Sequence, residues 1–255
     1  MILTLDIGNT NIVIGGFFNH ELKYTARLAT DAKKTEYEYA ALIKSIMEIN
    51  NTSPSEVKGA VVSSVVPPLN KRISKALNML YNITPMTVGP GVKTGVNLLV
   101  DNPSQVGADL VCTAAGAYKF YKTPALVLDM GTATKMSVVD ENGAFLGVSI
   151  IPGIEIGMNA LAGGTAQLPQ ISLEAPKSVI GKNTVDAMQS GIVLGNASLI
   201  DGMIEKIKKE FGEDINIIAT GGLAGFIIPY CKEKMTLDDH LILKGLYTIY
   251  QKNSQ

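Results

Sequence analysis

One short turn is written twice in this chain, and it constrains the fold more than any other feature. Asp6-Ile7-Gly8-Asn9-Thr10-Asn11 follows the apolar run Ile2–Leu5, and Asp129-Met130-Gly131-Thr132-Ala133-Thr134 follows the apolar run Ala125–Leu128. In each, a strand ends in a carboxylate, a glycine lets the backbone turn, and small hydroxyl or amide side chains follow. An apolar run then resumes, Ile12–Gly16 in one case and Met136–Val139 in the other. The copies lie close to half the chain apart, which reads as a duplication of one hairpin-led unit.

The chemistry of such a turn is specific. Glycine permits close backbone approach to a ligand, and successive N–H groups in a tight turn form a concavity that attracts anions. A carboxylate beside a polyphosphate is repulsive, so Asp6 and Asp129 make sense with a cation between, most simply hydrated Mg²⁺. Asp, Gly and Asn also favour plain hairpin turns; it is the second copy in a matching context that favours phosphate binding. Competing phosphate motifs are missing: there is no G-x-x-x-x-G-K-[ST] loop, and neither Gly89-Pro90-Gly91 nor Gly221-Gly222-Leu223-Ala224-Gly225 completes a dinucleotide fingerprint.

Composition narrows the classes. With 255 residues the chain can bury a large core without staples. Its 22 basic and 23 acidic residues leave a net charge of −1, which argues against a nucleic-acid groove or an anionic membrane surface. Cys112 and Cys231 lack metal-ligand spacing and read as small buried residues in a reducing compartment. The uncharged stretch Ile156–Leu173 carries glycines, prolines and glutamines and does not suit a bilayer. A soluble, cytoplasmic protein is expected.

The pattern predicts strands at Ile2–Leu5, Ile12–Phe18 and Leu22–Leu28, a helix over Thr35–Ile49, a buried parallel strand within Val57–Val66 and a helix from Pro67 to Leu80. Short strands follow at Met86–Val88 and Val96–Leu99, then a helix Pro103–Phe120. The order repeats with strands at Leu126–Asp129, Met136–Val139 and Phe145–Ile151, helices at Gly153–Leu161 and Thr184–Phe211, a strand at Ile215–Ala219 and a last helix Asp238–Tyr250. Gly221-Gly222 falls where strand passes to helix, a common place for a nucleotide. The expected fold is α/β, with two duplicated halves, residues 1–122 and 123–255. Each is a mixed β-sheet with helices, and the halves face across a nucleotide cleft.

With these residues in hand, the chain resembles type III pantothenate kinases, of the superfamily of actin, sugar kinases and heat-shock ATPases, whose halves are ribonuclease H-like. Both phosphate turns match, as do Asp101-Asn102-Pro103 with Val106-Gly107-Ala108-Asp109. Further matches are Ile151-Pro152-Gly153-Ile154, Ala160-Leu161 with Thr165–Pro169, Asn183-Thr184 with Met188–Gly191, and Ala219-Thr220-Gly221-Gly222-Leu223. The resemblance implies ATP-dependent phosphorylation of pantothenate, the first step toward coenzyme A. It implies Asp109 as general base. ATP contacts fall to Asp6, Ile7, Gly8, Asn9, Thr10, Asn11, Ile12, Val13 and Thr132. The segment Gly107, Ala108, Asp109, Leu110, with Val100 and Thr184, would hold pantothenate, Thr184 reaching across a homodimer interface. Asp129 would bind a monovalent cation, K⁺ or NH₄⁺, and Asp6 would bind Mg²⁺ through water. By local chemistry alone, Asp109 reads first as a carboxylate placed at a helix start by the macrodipole.

Three positions depart from the family pattern. Val100 stands where tyrosine is usual, Leu110 where arginine is usual, and Lys135-Met136-Ser137 where Thr-Phe-Asp is usual; Gly157 also replaces a serine. Leucine cannot replace the donor fork of arginine. Lys135 either meets a phosphate, replaces the charge of the monovalent cation, or points to solvent, and solvent is the default expectation. Two functional readings follow: a working kinase, and a catalytically weak or silent nucleotide-binding paralogue with a regulatory role. The survival of Asp6, Asp109 and Asp129 favours the kinase.

Overall fold

A computed structural model describes residues 1–212 and 214–254. The chain divides into two compact units, the first comprising Met1–Phe120, Gly143–Phe145 and His240–Gln255, the second Tyr121–Asn142 and Leu146–Asp239.

In the first unit, β1 (Ile2–Ile7), β2 (Asn11–Phe18) and β3 (Glu21–Ala29) form an antiparallel meander. Helix α1 (Glu36–Ile49) begins at a capping box: the Glu38 N–H donates to Thr35 Oγ1, and the Thr35 N–H donates to Glu38 Oε2. Strand β4 (Gly59–Ser64) pairs parallel to β1, α2 (Pro67–Tyr81) starts on its prolines, and β5 (Met86–Thr87) pairs parallel to β4. The sheet order is β3-β2-β1-β4-β5.

Strand β1 shows how the sheet is covered. Leu3, Leu5 and Ile7 pack with Ile43 of α1 and Ile73 of α2. Alternation therefore sends Thr4 and Asp6 to the other face, where α3 (Ala108–Phe120) and α7 (Leu241–Asn253) lie. Those two helices approach almost backbone to backbone, since a Cβ on Gly245 would collide with the Cys112 carbonyl. Strand β6 (Asn97–Leu98) pairs with Ala144 and Phe145.

The second unit repeats the plan. Strands β7 (Ala125–Met130), β8 (Ala133–Val139), β9 (Ala144–Pro152), β10 (Asn216–Thr220) and β11 (Thr236–Leu237) run in the order β11-β10-β7-β8-β9. That is the order of the first sheet with each strand replaced by its counterpart, and β7 pairs antiparallel to β8 and parallel to β10 as β1 does to β2 and β4. Helices α4 (Ile154–Gly163), α5 (Thr184–Phe211) and α6 (Ala224–Ile227) contribute to one core with Leu126, Leu128 and Met130 of β7.

Three boundaries differ from the sequence expectation. The helix expected over 103–120 is a 3-10 turn at Pro103–Gln105 followed by α3 from Ala108, broken where Val106 and Gly107 intervene. The last helix starts at Leu241 because the Asp238 N–H is tied to the Ala219 carbonyl at 2.8 Å. Gly221-Gly222 leads into one turn of helix only, with Pro229 close behind, so no long helix dipole points there.

Candidate active site

The first turn, Gly8 to Thr10, is closed by the Gly8 N–H donating to the Asn11 carbonyl at 3.0 Å. Thr30, just beyond β3, braces it twice: its N–H donates to the Thr10 carbonyl at 2.9 Å and its hydroxyl to the Gly8 carbonyl at 2.7 Å. Asn9 and Thr10 are exposed at the tip, Gly8, Asn11 and Val13 are half-buried, and Ile7 and Ile12 anchor the hairpin in the core. Ile7 and Ile12 thus set the turn's position, while Asn9 and Thr10 are exposed at its tip.

Asp6 and Asp109 both act electrostatically on one thiol, that of Cys112. Asp109 and Cys112 are three residues apart in α3 and so share a helix face; Asp6 points to the same side of the sheet. The Cys112 thiol is fully buried, and burial, the Asp6 carboxylate and then the Asp109 carboxylate all push its pKa well up, with Ser63 acting in the opposite sense. Ser63 lies directly across from Asp6 on β4, and its buried hydroxyl has no conventional hydrogen-bond partner. The carboxylate of Asp109 is oriented by the Leu110 N–H, which donates to Oδ1 at 2.9 Å. A Cβ on Gly107 would strike that same oxygen, so the small residue leaves the carboxylate its place. Asp109 lies in the first turn of α3, where the macrodipole favours negative charge.

The second turn is one residue shorter than the first. In the first hairpin Ile7 pairs with Ile12 and Asp6 with Val13; in the second Met130 pairs with Thr134 and Asp129 with Lys135. Partners directly across a strand pair share a face, and changing the register by one residue would send Lys135 to the other side. The structure therefore corrects the expectation that Lys135 points to solvent. Its Nζ lies 2.7 Å from Asp129 Oδ2, with the two side chains only 16% and 17% exposed. The monovalent ion implied at Asp129 does not suit this arrangement, because an ammonium already occupies the carboxylate.

Backbone from two other segments closes on this turn. A Cβ at Gly153, the cap residue of α4, would meet the Thr132 carbonyl carbon at 2.7 Å and the Gly131 oxygen at 2.9 Å. Gly221 has φ +96°, and a Cβ there would meet the Met130 backbone at 2.6 Å. Three glycine-containing segments thus meet with no side chain between them, and Thr132 is exposed at their surface.

The remaining acceptor residues lie on several elements. Val100 is half-buried between β6 and the 3-10 turn, Gly107 and Ala108 are half-buried before Asp109, and Leu110 is 7% exposed in the packing of α3. Thr184 opens α5, whose start is capped by Asn183 Oδ1 accepting from the Asp186 N–H at 2.9 Å. It lines an open cavity of about 750 Å³ together with Leu161, Leu168, Asn183, Met188 and Ile192. Sequence reasoning missed Thr30, whose role depends on a contact across the sheet, and Ser63, which reads in sequence as an ordinary strand residue.

A family model described as type III pantothenate kinase matches residues 2–206. Among solved structures, a conserved Baf family protein from Campylobacter jejuni, described as a transcriptional activator, is 21% identical, with 99% of this chain and 98% of that chain covered and a TM-score of 0.61. The activator of 2-hydroxyisocaproyl-CoA dehydratase from Clostridium difficile, solved with ADPNP, is 15% identical over 100% of this chain and 96% of that one, with a TM-score of 0.58. A ROK hexokinase from Thermus thermophilus is 11% identical over 98% and 99%, with a TM-score of 0.54. These similarities place the fold among the actin-like kinases and ATPases.

Proposed function

The chain belongs to the type III pantothenate kinase family, and from that premise we propose how its residues divide the family's reaction, transfer of the ATP γ-phosphoryl group to the primary hydroxyl of pantothenate. The protein is a phosphotransferase of coenzyme A biosynthesis, and the reading of a silent paralogue is not favoured. Phosphoryl transfer asks mostly for positioning and charge neutralisation. Asp109 accepts the proton of the attacking hydroxyl, the new O–P bond forms, and the bond to the leaving ADP oxygen breaks. The turn Gly8–Asn11 donates to phosphate oxygens, and Thr132 does the same from the second turn. Among the described residues no cluster of three His, Cys, Asp or Glu side chains gathers to cage a metal. A single carboxylate with water is nonetheless the usual protein share of a nucleotide-bound Mg²⁺, and Asp6 supplies it; the ion would neutralise phosphate charge. The reaction so divided needs no monovalent ion at Asp129.

On the acceptor side we assign pantothenate to Gly107, Ala108 and Asp109, with Val100 at the edge. Thr184 belongs to the acceptor site of a second copy, so the working form is a homodimer; the exposed Val179, Ile180 and Val185 near it support an interface. Among the described residues no helix is long and apolar enough to cross a membrane. Both cysteines are free, as suits a reducing compartment, and we place the reaction in the cytoplasm.

The observation that carries this reading is the setting of Asp109 in the first turn of α3, with Gly107 leaving its carboxylate room and the Leu110 N–H donating to its Oδ1 at 2.9 Å. Asp109→Asn tests it. Turnover should fall by at least about 100-fold, the usual worth of a general base, while calorimetry should find ATP affinity little changed. Wild-type turnover in the variant would remove Asp109 from the role of base.

A further inference from the structure

The geometry points to Lys135 as a covalently tethered substitute for an exchangeable monovalent cation at the second phosphate turn. This rests on the proposed reading of that turn as a phosphate binder.

The hairpin register sets the pairing. Because the β7–β8 turn is one residue shorter than the β1–β2 turn, Lys135 stands directly across from Asp129, whereas Asp6 stands across from the uncharged Val13. Leu126, Leu128, Met130 and Met136 occupy the core face, so Asp129 and Lys135 share the opposite one. Their 2.7 Å ion pair is mostly withdrawn from water, where charge pairs are little screened by salt. A carboxylate this close to a bound polyphosphate repels it unless a positive charge intervenes, and Lys135 Nζ supplies one. A potassium or ammonium ion entering at Asp129 would instead place a second positive charge beside the first.

A tethered ammonium is present at every ion composition, so binding to the turn should not depend on which monovalent salt is supplied. The test is calorimetric titration of the Mg²⁺ complex of a non-hydrolysable ATP analogue in potassium, ammonium or choline chloride at matched ionic strength. The wild type should bind equally in all three. Lys135→Met keeps the unbranched stem of the side chain and removes its charged end; its affinity in choline should fall roughly tenfold, a typical coupling between neighbouring sites, and recover in potassium or ammonium. Lys135→Arg should bind alike in all three salts.

Wild-type affinity that is severalfold higher in potassium than in choline would overturn the inference, as would Lys135→Met binding as tightly as wild type in choline. The wild-type comparison decides the matter even if Lys135→Met does not fold. Thr132→Ala separates the premise: unchanged affinity in that variant would show that the second turn does not hold phosphate, and the inference would fall with it. Weakened binding in Thr132→Ala beside salt-dependent wild-type binding would refute the role of Lys135 alone.

Discussion

Alanine at position 153 tests whether the second turn is held by backbone contact. Gly153 has φ −66° and ψ 159°, angles any residue adopts. By unfolded-state entropy alone, Gly153→Ala should therefore stabilise the protein by about 0.4–1 kcal/mol. The structure argues the opposite. The new Cβ would lie 2.7 Å from the Thr132 carbonyl carbon and closer still to its oxygen; these are backbone atoms of a tight turn, which must shift by roughly 1 Å to restore ordinary contact. Overpacking of this kind costs about 1–3 kcal/mol, so the net loss should be about 1–2 kcal/mol. In a chain of this size that lowers Tm by roughly 2–8 °C. The same shift displaces Thr132, and a misplacement near 1 Å can cost a catalytic site about 100-fold. Scanning calorimetry with titration of an ATP analogue reads both. A higher Tm with unchanged nucleotide affinity would refute the proposed contact.

Three further outcomes follow from the same geometry. Asp6→Ala should weaken Mg²⁺-ATP binding, since it removes the one carboxylate assigned to the metal's water shell; unchanged affinity by calorimetry would contradict that assignment. Burial holds the Cys231 thiol up at about 11 and the Cys112 thiol higher than usual as well. Both should therefore stay largely protonated near pH 8 and react slowly with iodoacetamide until the protein is denatured, and rapid native labelling of Cys112 seen by mass spectrometry would argue against the packing around α3. Leu110→Arg, although it restores a residue usual in the family, places a guanidinium at a 7% exposed position. It should lower stability by about 1–3 kcal/mol, and an unchanged melting temperature would mean that Leu110 is not packed as described.

Much of the fold was legible because each strand of the two cores is a compact apolar run and each long helix carries its own start signal. The Thr35 and Glu38 box, Pro67 and Asn183 fix three helix starts within a residue of expectation. The duplication was legible from the turns and reappears as the common strand order. Lys135 was not legible. Aligned without a gap, the two turns look equal in length, and only the hydrogen-bonded register shows that the second is shorter. The start of α3 failed similarly: residues 103–120 show continuous helical character, and the interruption lies in backbone geometry at Val106 and Gly107. Thr30 and Gly153 depend on contacts across long stretches of sequence, which no local pattern encodes. The separate roles of Asp6 and Asp109 came from resemblance, and no local pattern shows that both act on the Cys112 thiol.

The most direct test of the account is phosphorus NMR of the folded wild-type protein with Mg²⁺-ATP and pantothenate. A phosphomonoester signal on pantothenate should grow in step with ADP, and no such signal should form when pantothenate is left out. ADP release with no phosphorylated pantothenate, or no ATP consumption by protein that binds the nucleotide, would contradict it.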